Sequence, residues 1–196
     1  MLDTRGRKFV DPVIQFSAKF LLKKGFSANL ITWIAFVTGI LSGPLVWGGY
    51  PLAAVIILWV SGFLDAVDGA LARMTKPSPW GTVLDVTFDR MVEISVILGL
   101  AFRFPQAAWS LLLLSVSIII SMTVFLTVGA VTEKKGMKSF YYQPGLAERT
   151  EGFIMFSLMM VFTGQLVVIS LAFFGMILFT AGQRLLEAKR LLTKEE

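Results

Sequence analysis

The stretch PLAAVIILWVSGFLDAVDGALARM, residues Pro51–Met74, is long and apolar enough to cross a membrane, yet it contains Asp65 and Asp68. The next apolar stretch, GTVLDVTFDRMVEISVILGLAF, contains Asp85 and Asp89. A charged side chain at the centre of a membrane-spanning helix costs about 2.5–3.5 kcal/mol on insertion scales, so these carboxylates require compensating cations. Intramembrane carboxylates usually mark function, which makes this group the first candidate for a site.

Cations within the two stretches are scarce. Arg73 and Arg90 are too few to neutralise four aspartates. Two divalent metal ions would balance the charge, and hard cations such as Mg²⁺ and Mn²⁺ prefer carboxylate oxygen ligands. We therefore expect a membrane-embedded metalloenzyme that uses two ions of Mg²⁺ or Mn²⁺.

Composition supports the membrane assignment and narrows the chemistry. The chain has 196 residues, of which 56% are hydrophobic and 16% charged. Its mean hydropathy is +0.75, and it is more apolar than an ordinary soluble domain. Cysteine and histidine are both absent, which excludes disulfides, thiolate metal sites and catalysis by a Ser-His or Cys-His pair. The reaction must use Asp, Glu, Lys, Arg, hydroxyl groups or metal ions.

The distribution of apolar residues predicts an all-α, polytopic membrane protein with six transmembrane helices. A spanning helix needs about 20 residues. The predicted spans are Ser27–Trp47, Pro51–Met74, Gly81–Phe102, Gln106–Val131, Thr150–Thr163 and Gln165–Leu186. The fifth span is short and directly precedes the sixth, so a single long helix through Gly164 is the alternative interpretation.

The basic residues predict how these spans are oriented. With an even number of spans, both termini lie on the same side of the membrane. Of the 18 lysines and arginines, all except Arg90 and Arg103 then fall on that side. The positive-inside rule makes it the cytoplasmic side of the cell membrane, where the aspartates also lie. The net charge of +5 reflects this topology and contact with anionic lipid, since cations dispersed among membrane loops do not indicate nucleic-acid binding.

Residues 1–26 precede the first span and are predicted to form a cytoplasmic juxtamembrane segment. Apolar residues such as Phe16 alternate there with lysines such as Lys19 at helical spacing, which favours an amphipathic helix on the membrane surface. A basic leader that only sets the topology is the alternative. Residues 27–187 then form the transmembrane catalytic domain, and residues 188–196 form a cytoplasmic tail.

On each acidic helix the carboxylates share one face. The first stripe is Ser61, Asp65, Asp68 and Ala72, and the second is Gly81, Asp85, Asp89 and Glu93. Steps of three or four residues keep each stripe on one side of a helix. The short connection Thr75–Trp80 contains two prolines, which predicts antiparallel neighbouring helices with facing stripes. Two carboxylates from each helix suit a two-metal phosphoryl-transfer site, and Glu93 is interpreted as a packing or supporting residue.

The aspartates match the pattern D-x-x-D-G-x-x-A-R, a short gap, then G-x-x-x-D-x-x-x-D, with all eight fixed positions present from Asp65 to Asp89. This pattern resembles the signature of the CDP-alcohol phosphatidyltransferases. The seven-residue gap after Arg73 is shorter than the commoner spacing of that signature, and the difference falls in a loop. Asn29-Leu-Ile-Thr32 at the start of the first span resembles the family's Asn-x-x-Thr entry, and the six-helix layout also agrees.

The resemblance implies a reaction and a role for each matching residue. CDP-diacylglycerol, or a related CDP-lipid, would donate its phosphatidyl group to the hydroxyl of a small alcohol in phospholipid biosynthesis, and CMP would leave. The two divalent ions would be held by Asp65, Asp68, Asp85 and Asp89. Asp89 would also act as the general base on the acceptor hydroxyl. The CDP-lipid would be bound by Asn29, Thr32, Gly69, Ala72, Arg73 and Gly81. The family resemblance further implies a homodimer.

The acceptor alcohol is predicted from the loop between the fourth and fifth spans. Lys134, Lys135 and Arg149 suit a phosphate group on the acceptor, although positive-inside loop charge explains the two lysines equally well. Arg149 is better placed because it leads into the fifth span. Family members that use inositol phosphate or glycerol phosphate have a similar Gly-x-x-x-Arg stretch with a second Arg, which is missing here. We favour glycerol 3-phosphate or inositol phosphate, with serine or another unphosphorylated alcohol as the alternative.

Two other classes of function stay open at this point. Acidic stripes inside a helical bundle can form a transport pathway for divalent cations. Such a path should continue with polar residues, whereas the third span becomes apolar beyond Glu93. A family member that has lost catalysis and serves as a structural subunit is the other class, although its aspartates should then be eroded and here all four are intact.

Overall fold

The computed structural model describes residues 2–134 and 148–193, and every regular element in these two ranges is a helix. The α-helices are α1 (Leu2–Lys23), α2 (Ala28–Ile40), α3 (Ser42–Trp47), α4 (Pro51–Met74), α5 (Pro79–Arg103), α6 (Ala108–Lys134), α7 (Arg149–Val161) and α8 (Leu166–Thr193). Short 3₁₀ turns at Pro105–Ala107 and Thr163–Gln165 lead into α6 and α8. The prediction of an all-α fold is confirmed.

Four segments of the described chain are long and apolar enough to cross a membrane. They are Ala28–Trp47, Pro51–Met74, Pro105–Val131 and Thr163–Arg190. The other two predicted spans correspond to α5, which carries Asp85, Asp89, Arg90 and Glu93, and to α7, which has 13 residues. At 1.5 Å per residue α7 is about 20 Å long, which is shorter than the roughly 30 Å hydrocarbon core of a bilayer. Length and composition therefore identify four of the six predicted spans.

The first predicted span is interrupted at Leu41, which separates α2 from α3. Pro44 explains the interruption, because proline has no amide hydrogen to donate to the carbonyl four residues earlier. That carbonyl, of Ile40, instead accepts a hydrogen bond of 2.7 Å from the Ser95 hydroxyl of α5. The break in the helix thus provides an attachment point between α2 and α5.

The fifth and sixth predicted spans are separate helices, which excludes the single long helix. Helix α7 ends at Val161, and the amide of Phe162 closes its last turn by donating to the Leu158 carbonyl at 2.8 Å. Helix α8 begins at Leu166 after the 3₁₀ turn. It continues to Thr193 without a break at residue 187, so the predicted tail 188–196 begins as part of α8.

Helix α2 packs along both acidic helices, α4 and α5, whereas these two have little backbone contact with each other. Gly39 lies at the crossing, where an added Cβ atom would overlap the Ser61 hydroxyl and lie 2.7 Å from Val92 Cγ2. The Ser61 hydroxyl donates to the Ala35 carbonyl at 2.8 Å. Because glycine has no side chain, α2 can approach both acidic helices closely. It thereby holds α4 and α5 near enough for their aspartates to come together.

The second half of the molecule is built from α6, α7 and α8. Helix α6 packs along α8, where the buried hydroxyls of Ser110 and Ser170 form a hydrogen bond of 2.7 Å. Helix α7 contacts both α4 and α8, and the Trp59 indole of α4 donates to the Ser157 hydroxyl of α7 at 3.0 Å. This packing brings the start of α7 and the C-terminal half of α8 to the acidic helices.

Helix α1 packs on the C-terminal part of α4. Its contact is a small buried cluster of Ala18 with Val67, Ala70 and Leu71. Other apolar side chains of α1 face outward, and Phe16 is 73% exposed. The helix therefore has one face against the bundle and a second face with exposed apolar groups.

Candidate active site

Three aspartates converge where the C-terminal half of α4 meets the first half of α5. Carboxylate oxygens of Asp65, Asp68 and Asp85 all lie within 4.8 Å of one another. Asp65 and Asp68 are buried, and Asp85 is half-buried. The spacing of Asp65 and Asp68 puts both on one face of α4. Like charges this close in a poorly hydrated region repel one another strongly, so the cluster requires cations.

Asp89 lies one turn beyond Asp85 and is joined to the cluster by Arg149. The Nη2 atom of Arg149 donates to Asp89 Oδ1 at 2.8 Å, and its Nη1 atom donates to Asp65 Oδ2. The planar guanidinium presents its donors as a fork, which allows one side chain to bridge carboxylates on two helices. Arg149 is the first residue of α7, so this cation comes from a distant part of the chain.

The two arginines of the acidic stretches are placed differently. Arg90 forms an ion pair of 2.6 Å with Glu93 on the same helix. Arg73 is exposed at the end of α4. Within the described residues, the ion pairs to aspartates of the site therefore come from Arg149. One guanidinium cannot neutralise four aspartates, so the group keeps a negative charge.

The aspartate cluster fits divalent metal ions. Its donors are carboxylate oxygens, which Mg²⁺ and Mn²⁺ prefer. The Oδ2 atom of Asp68 is buried and has no hydrogen-bond partner among the described residues. Buried polar atoms are nearly always paired, and a role as metal ligand accounts for this one. Within residues 2–134 and 148–193, the side chains placed to hold an ion together are those of Asp65, Asp68 and Asp85.

Two residues predicted to bind the CDP-lipid lie near the start of α2, beside the aspartates. Thr32 is buried, and its hydroxyl donates to the Ala28 carbonyl at 3.0 Å. Asn29 faces α5, since a Cβ atom added at Gly81 would lie 3.2 Å from Asn29 Oδ1. Gly81 is also held by the helix cap of α5, where its amide donates to the Ser78 hydroxyl at 3.0 Å.

The other predicted CDP-lipid residues follow Asp68 on α4. Gly69 and Ala72 are half-buried, and neither presents a bulky side chain. A Cβ atom at Gly69 would lie 3.4 Å from Arg73 Nη1, so the arginine reaches back over the glycine. The last turns of α4 and the first turns of α2 and α5 therefore meet at one end of the bundle with small residues and a cation.

A polar cavity of about 300 Å³ opens beside Asp85 and Asp89. Its ionisable lining residues are Asp85, Asp89, Arg90, Glu93, Glu148, Arg149 and Arg184. They come from α5, from the start of α7 and from α8. The volume is at the small end of the range for ligand pockets, which suits a small polar molecule. The arginines among its lining suit an anionic group on that molecule.

A larger cavity of about 630 Å³ lies between α3 and α5. Its lining is apolar apart from Ser95, and it contains no ionisable residue. This larger cavity therefore offers no charged partner to an anionic ligand.

Of the two residues predicted to bind the acceptor, the structure describes Arg149 but not Lys135. Arg149 lines the polar cavity and contacts two aspartates at the same time. Lys135 lies outside the described residues. Lys134 is the last residue of α6.

Sequence reasoning did not identify Arg184 and Glu93 as site residues. Glu93 continues the four-residue spacing of Asp85 and Asp89, so the sequence places it on the same helix face, although this spacing alone predicts only a packing or supporting residue. Arg184 carries no such signal, because it lies in the last apolar segment with no motif around it. Its position depends on the packing of α8 against α6, where its guanidinium lies 5.2 Å from the centre of the Phe125 ring.

Known proteins resemble this chain in sequence. The sequence model of the CDP-alcohol phosphatidyltransferase family matches residues 26–182. The inner membrane protein YnjF of Escherichia coli (strain K12) is 29% identical over 170 residues, which are 81% of this chain and 81% of that protein. The archaetidylinositol phosphate synthase of Methanothermobacter thermautotrophicus is 33% identical over 154 residues, which are 76% of this chain and 70% of that enzyme.

Solved structures share its fold. The phosphatidylinositol phosphate synthase of Mycobacterium tuberculosis with CDP-DAG bound superposes with a TM-score of 0.71 at 22% identity, covering 90% of this chain and 94% of that chain. The same enzyme in complex with manganese and citrate gives a TM-score of 0.69 at 22% identity, covering 89% of this chain and 88% of that chain. Because the family match extends over most of the sequence, the prediction from the aspartate motif is confirmed, and the chain belongs to the CDP-alcohol phosphatidyltransferase family.

Proposed function

We propose that this protein transfers a phosphatidyl group from CDP-diacylglycerol, or a related CDP-lipid, to a hydroxyl of a small phosphorylated polyol and releases CMP. The observation that carries the proposal is the position of the aspartate cluster directly beside a small cavity whose lining contains three arginines as well as four carboxylates. The cluster supplies a place for the pyrophosphate of the donor with its metal ions. The cavity supplies a place for an anionic acceptor.

The donor side is assigned to the ends of α2, α4 and α5. When bound, two divalent ions held by Asp65, Asp68, Asp85 and Asp89 would neutralise the pyrophosphate and stabilise the CMP leaving group. The CDP-lipid residues are Asn29, Thr32, Gly69, Ala72, Arg73 and Gly81. Gly69 and Ala72 leave room for a nucleotide to approach α4 closely, and the exposed Arg73 can approach a phosphate.

Asp89 is proposed as the general base. It lines the polar cavity and follows Asp85 by one helical turn, so it lies between the aspartate cluster and the acceptor. A carboxylate there can accept the proton of the acceptor hydroxyl as that oxygen attacks phosphorus. Its contact with Arg149 orients the carboxylate. We propose direct in-line transfer without a covalent enzyme intermediate.

The acceptor is assigned to the polar cavity. Arg149 and Arg184 come from different helices and both line it, which suits a dianionic phosphate better than a zwitterion such as serine. Two of the similar proteins are named archaetidylinositol phosphate synthase and phosphatidylinositol phosphate synthase, and an inositol phosphate acceptor agrees with such a cavity. Lys135 stays a predicted acceptor residue.

The membrane arrangement forms part of the proposal. Helices α5 and α7 would complete six spans, with residues 27–187 as the transmembrane domain and both termini and the site on the cytoplasmic side. The exposed apolar face of α1 would lie on the membrane surface within residues 1–26, and residues 188–196 would face the cytoplasm. The homodimer stays a prediction.

The decisive experiment is an assay of CMP release. Purified protein with Mg²⁺ or Mn²⁺ and CDP-diacylglycerol would be given inositol phosphate, glycerol 3-phosphate and serine in separate reactions. We expect release with a phosphorylated polyol and none after chelation of the metal. Release with serine alone would replace the acceptor assignment. No release with any alcohol, together with metal uptake into liposomes, would favour the transporter.

A further inference from the structure

The Arg90–Glu93 ion pair has no part in the proposed donor binding or proton transfer. The Nη1 atom of Arg90 lies 2.6 Å from Glu93 Oε2, and both side chains line the polar cavity next to Asp89. Charged pairs inside a helical bundle are costly, and apolar residues at these positions would often be at least as stable. The pair is therefore better explained by contact with a ligand than by stability.

Both members of the pair can make further hydrogen bonds. The Nε atom of Arg90 is buried and has no partner among the residues that the structure describes. Glu93 accepts one hydrogen bond from Arg90 at Oε2, whereas a carboxylate can accept about four. Arg90 holds this carboxylate in a defined position at the cavity wall. A held carboxylate with remaining acceptor capacity is suited to hydroxyl donors.

The position of Glu93 indicates which hydroxyls it would meet. It follows Asp89 by four residues on α5, so its side chain lies about 6 Å from that of Asp89 on the same helix face. If Asp89 accepts the proton of the reacting hydroxyl, Glu93 lies where other hydroxyls of the same acceptor would be. Apart from the reacting hydroxyl, serine has no other hydroxyl group, and glycerol 3-phosphate has a single one.

We infer that Glu93, positioned by Arg90, accepts hydrogen bonds from the non-reacting hydroxyls of the acceptor and so selects a polyhydroxylated polyol phosphate over glycerol 3-phosphate and serine. This inference rests on the proposed function. Arg149 and Arg184 bind the phosphate, Asp89 receives the proton, and Glu93 accepts hydrogen bonds from the other hydroxyl groups. Glu93 is then a specificity-determining residue and Arg90 a positioning residue.

The test compares acceptors that differ in their hydroxyl groups. With wild-type protein, inositol phosphate should have a KM about tenfold or more below that of analogues lacking a single non-reacting hydroxyl. Glu93→Gln should raise the KM for inositol phosphate by about 10- to 100-fold and remove most of its advantage over those analogues. The KM for CDP-diacylglycerol should stay within about twofold, because the donor binds elsewhere.

A matched control is available on α8. Glu187→Gln makes the same chemical change at a residue that does not line the cavity, and it should leave every acceptor KM unchanged. Arg90→Gln should weaken discrimination between inositol phosphate and its analogues, which a merely structural role would not do. If Glu93→Gln does not fold, the double variant Arg90→Gln, Glu93→Gln removes both charges together and serves in the same assay.

Calorimetric binding of inositol phosphate separates this inference from the proposed function. An active wild-type enzyme whose Glu93→Gln variant keeps all acceptor KM values within about twofold would overturn the inference alone. Equal losses with inositol phosphate and glycerol 3-phosphate would overturn it as well. A wild-type protein that releases no CMP but binds inositol phosphate, with binding weakened by Glu93→Gln and not by Glu187→Gln, would contradict the proposed reaction and support the role of Glu93.

Discussion

The aspartate cluster and the polar cavity are neighbours, but they are assembled in different ways. The cluster comes from two helices joined by the short turn Thr75–Ser78, with all its carboxylates between Asp65 and Asp85. The cavity draws its arginines from three helices, and Arg149 and Arg184 lie far along the chain from α5. If the cluster holds the metal ions and the cavity holds the acceptor, as proposed, substitutions in the cavity should change acceptor specificity while the donor chemistry stays the same.

Asp85 belongs to both regions, and two further residues connect them. Arg149 lines the cavity and pairs with Asp65 of the cluster, and Asp89 lines the cavity one turn from Asp85. Variants in the aspartate cluster and variants in the polar cavity therefore test whether the two regions are functionally distinct.

The largest effect is expected inside the cluster. Asp68→Asn replaces a carboxylate by a neutral amide. If Asp68 holds a metal ion as proposed, kcat should fall by about 1,000-fold or more, because metal stabilisation of the transition state is worth several kcal/mol. The loss should be equal for every acceptor. Manganese binding, followed by electron paramagnetic resonance, should weaken in parallel. Activity within tenfold of wild type would remove Asp68 from the metal site.

Asp89→Asn tests the boundary between the regions. Loss of a general base should lower kcat by about 10²- to 10⁴-fold. If the metal ions depend mainly on the other three aspartates, manganese binding should persist in this variant. Single-turnover CMP release together with a manganese titration measures both effects. A fully active variant would end the assignment of Asp89 as the base.

Arg184→Ala should affect the cavity alone. The loss of a charged hydrogen-bonding partner should raise the KM for the phosphorylated acceptor by about 10- to 100-fold and leave the KM for the CDP-lipid nearly unchanged. Arg149→Ala should raise both values, because Arg149 also contacts Asp65. Steady-state kinetics with each substrate varied in turn distinguishes the two patterns. Identical patterns would contradict the separation of the two regions.

The smallest effect is expected from the helix packing that positions the cluster. Gly39→Ala adds a methyl group against Ser61 and Val92 and should lower stability by about 1–3 kcal/mol by overpacking. Metal affinity should fall more than acceptor affinity, since the methyl group forces α4 and α5 apart. Thermal unfolding in detergent and manganese titration provide the measurements.

Gly175→Ala is the control for that variant. An added Cβ atom at Gly175 meets no heavy atom within 4 Å, so the change should stabilise α8 by about 0.5–1 kcal/mol through helix propensity. If the two alanine variants unfold at the same temperature, Gly39 is not a site of close packing.

Helical periodicity made much of this molecule predictable. The two stripes, the all-α architecture and the family motif depend on spacings of three and four residues, which are local properties of the chain. The apolar stretches placed most helix ends within a few residues. The interruption at Leu41 was missed because the apolar run continues through it, even though Pro44 was a visible signal.

The sequence by itself determined the helices and the carboxylates that face one way on each of them. Only the tertiary structure decided that Arg149 bridges Asp65 and Asp89 and that Arg184 and Glu93 share a cavity with them. The reason is physical: periodicity specifies which side of a helix a residue occupies. The partner that meets that side depends on how distant helices pack, here through Gly39 of α2 and the contact of α8 with α6.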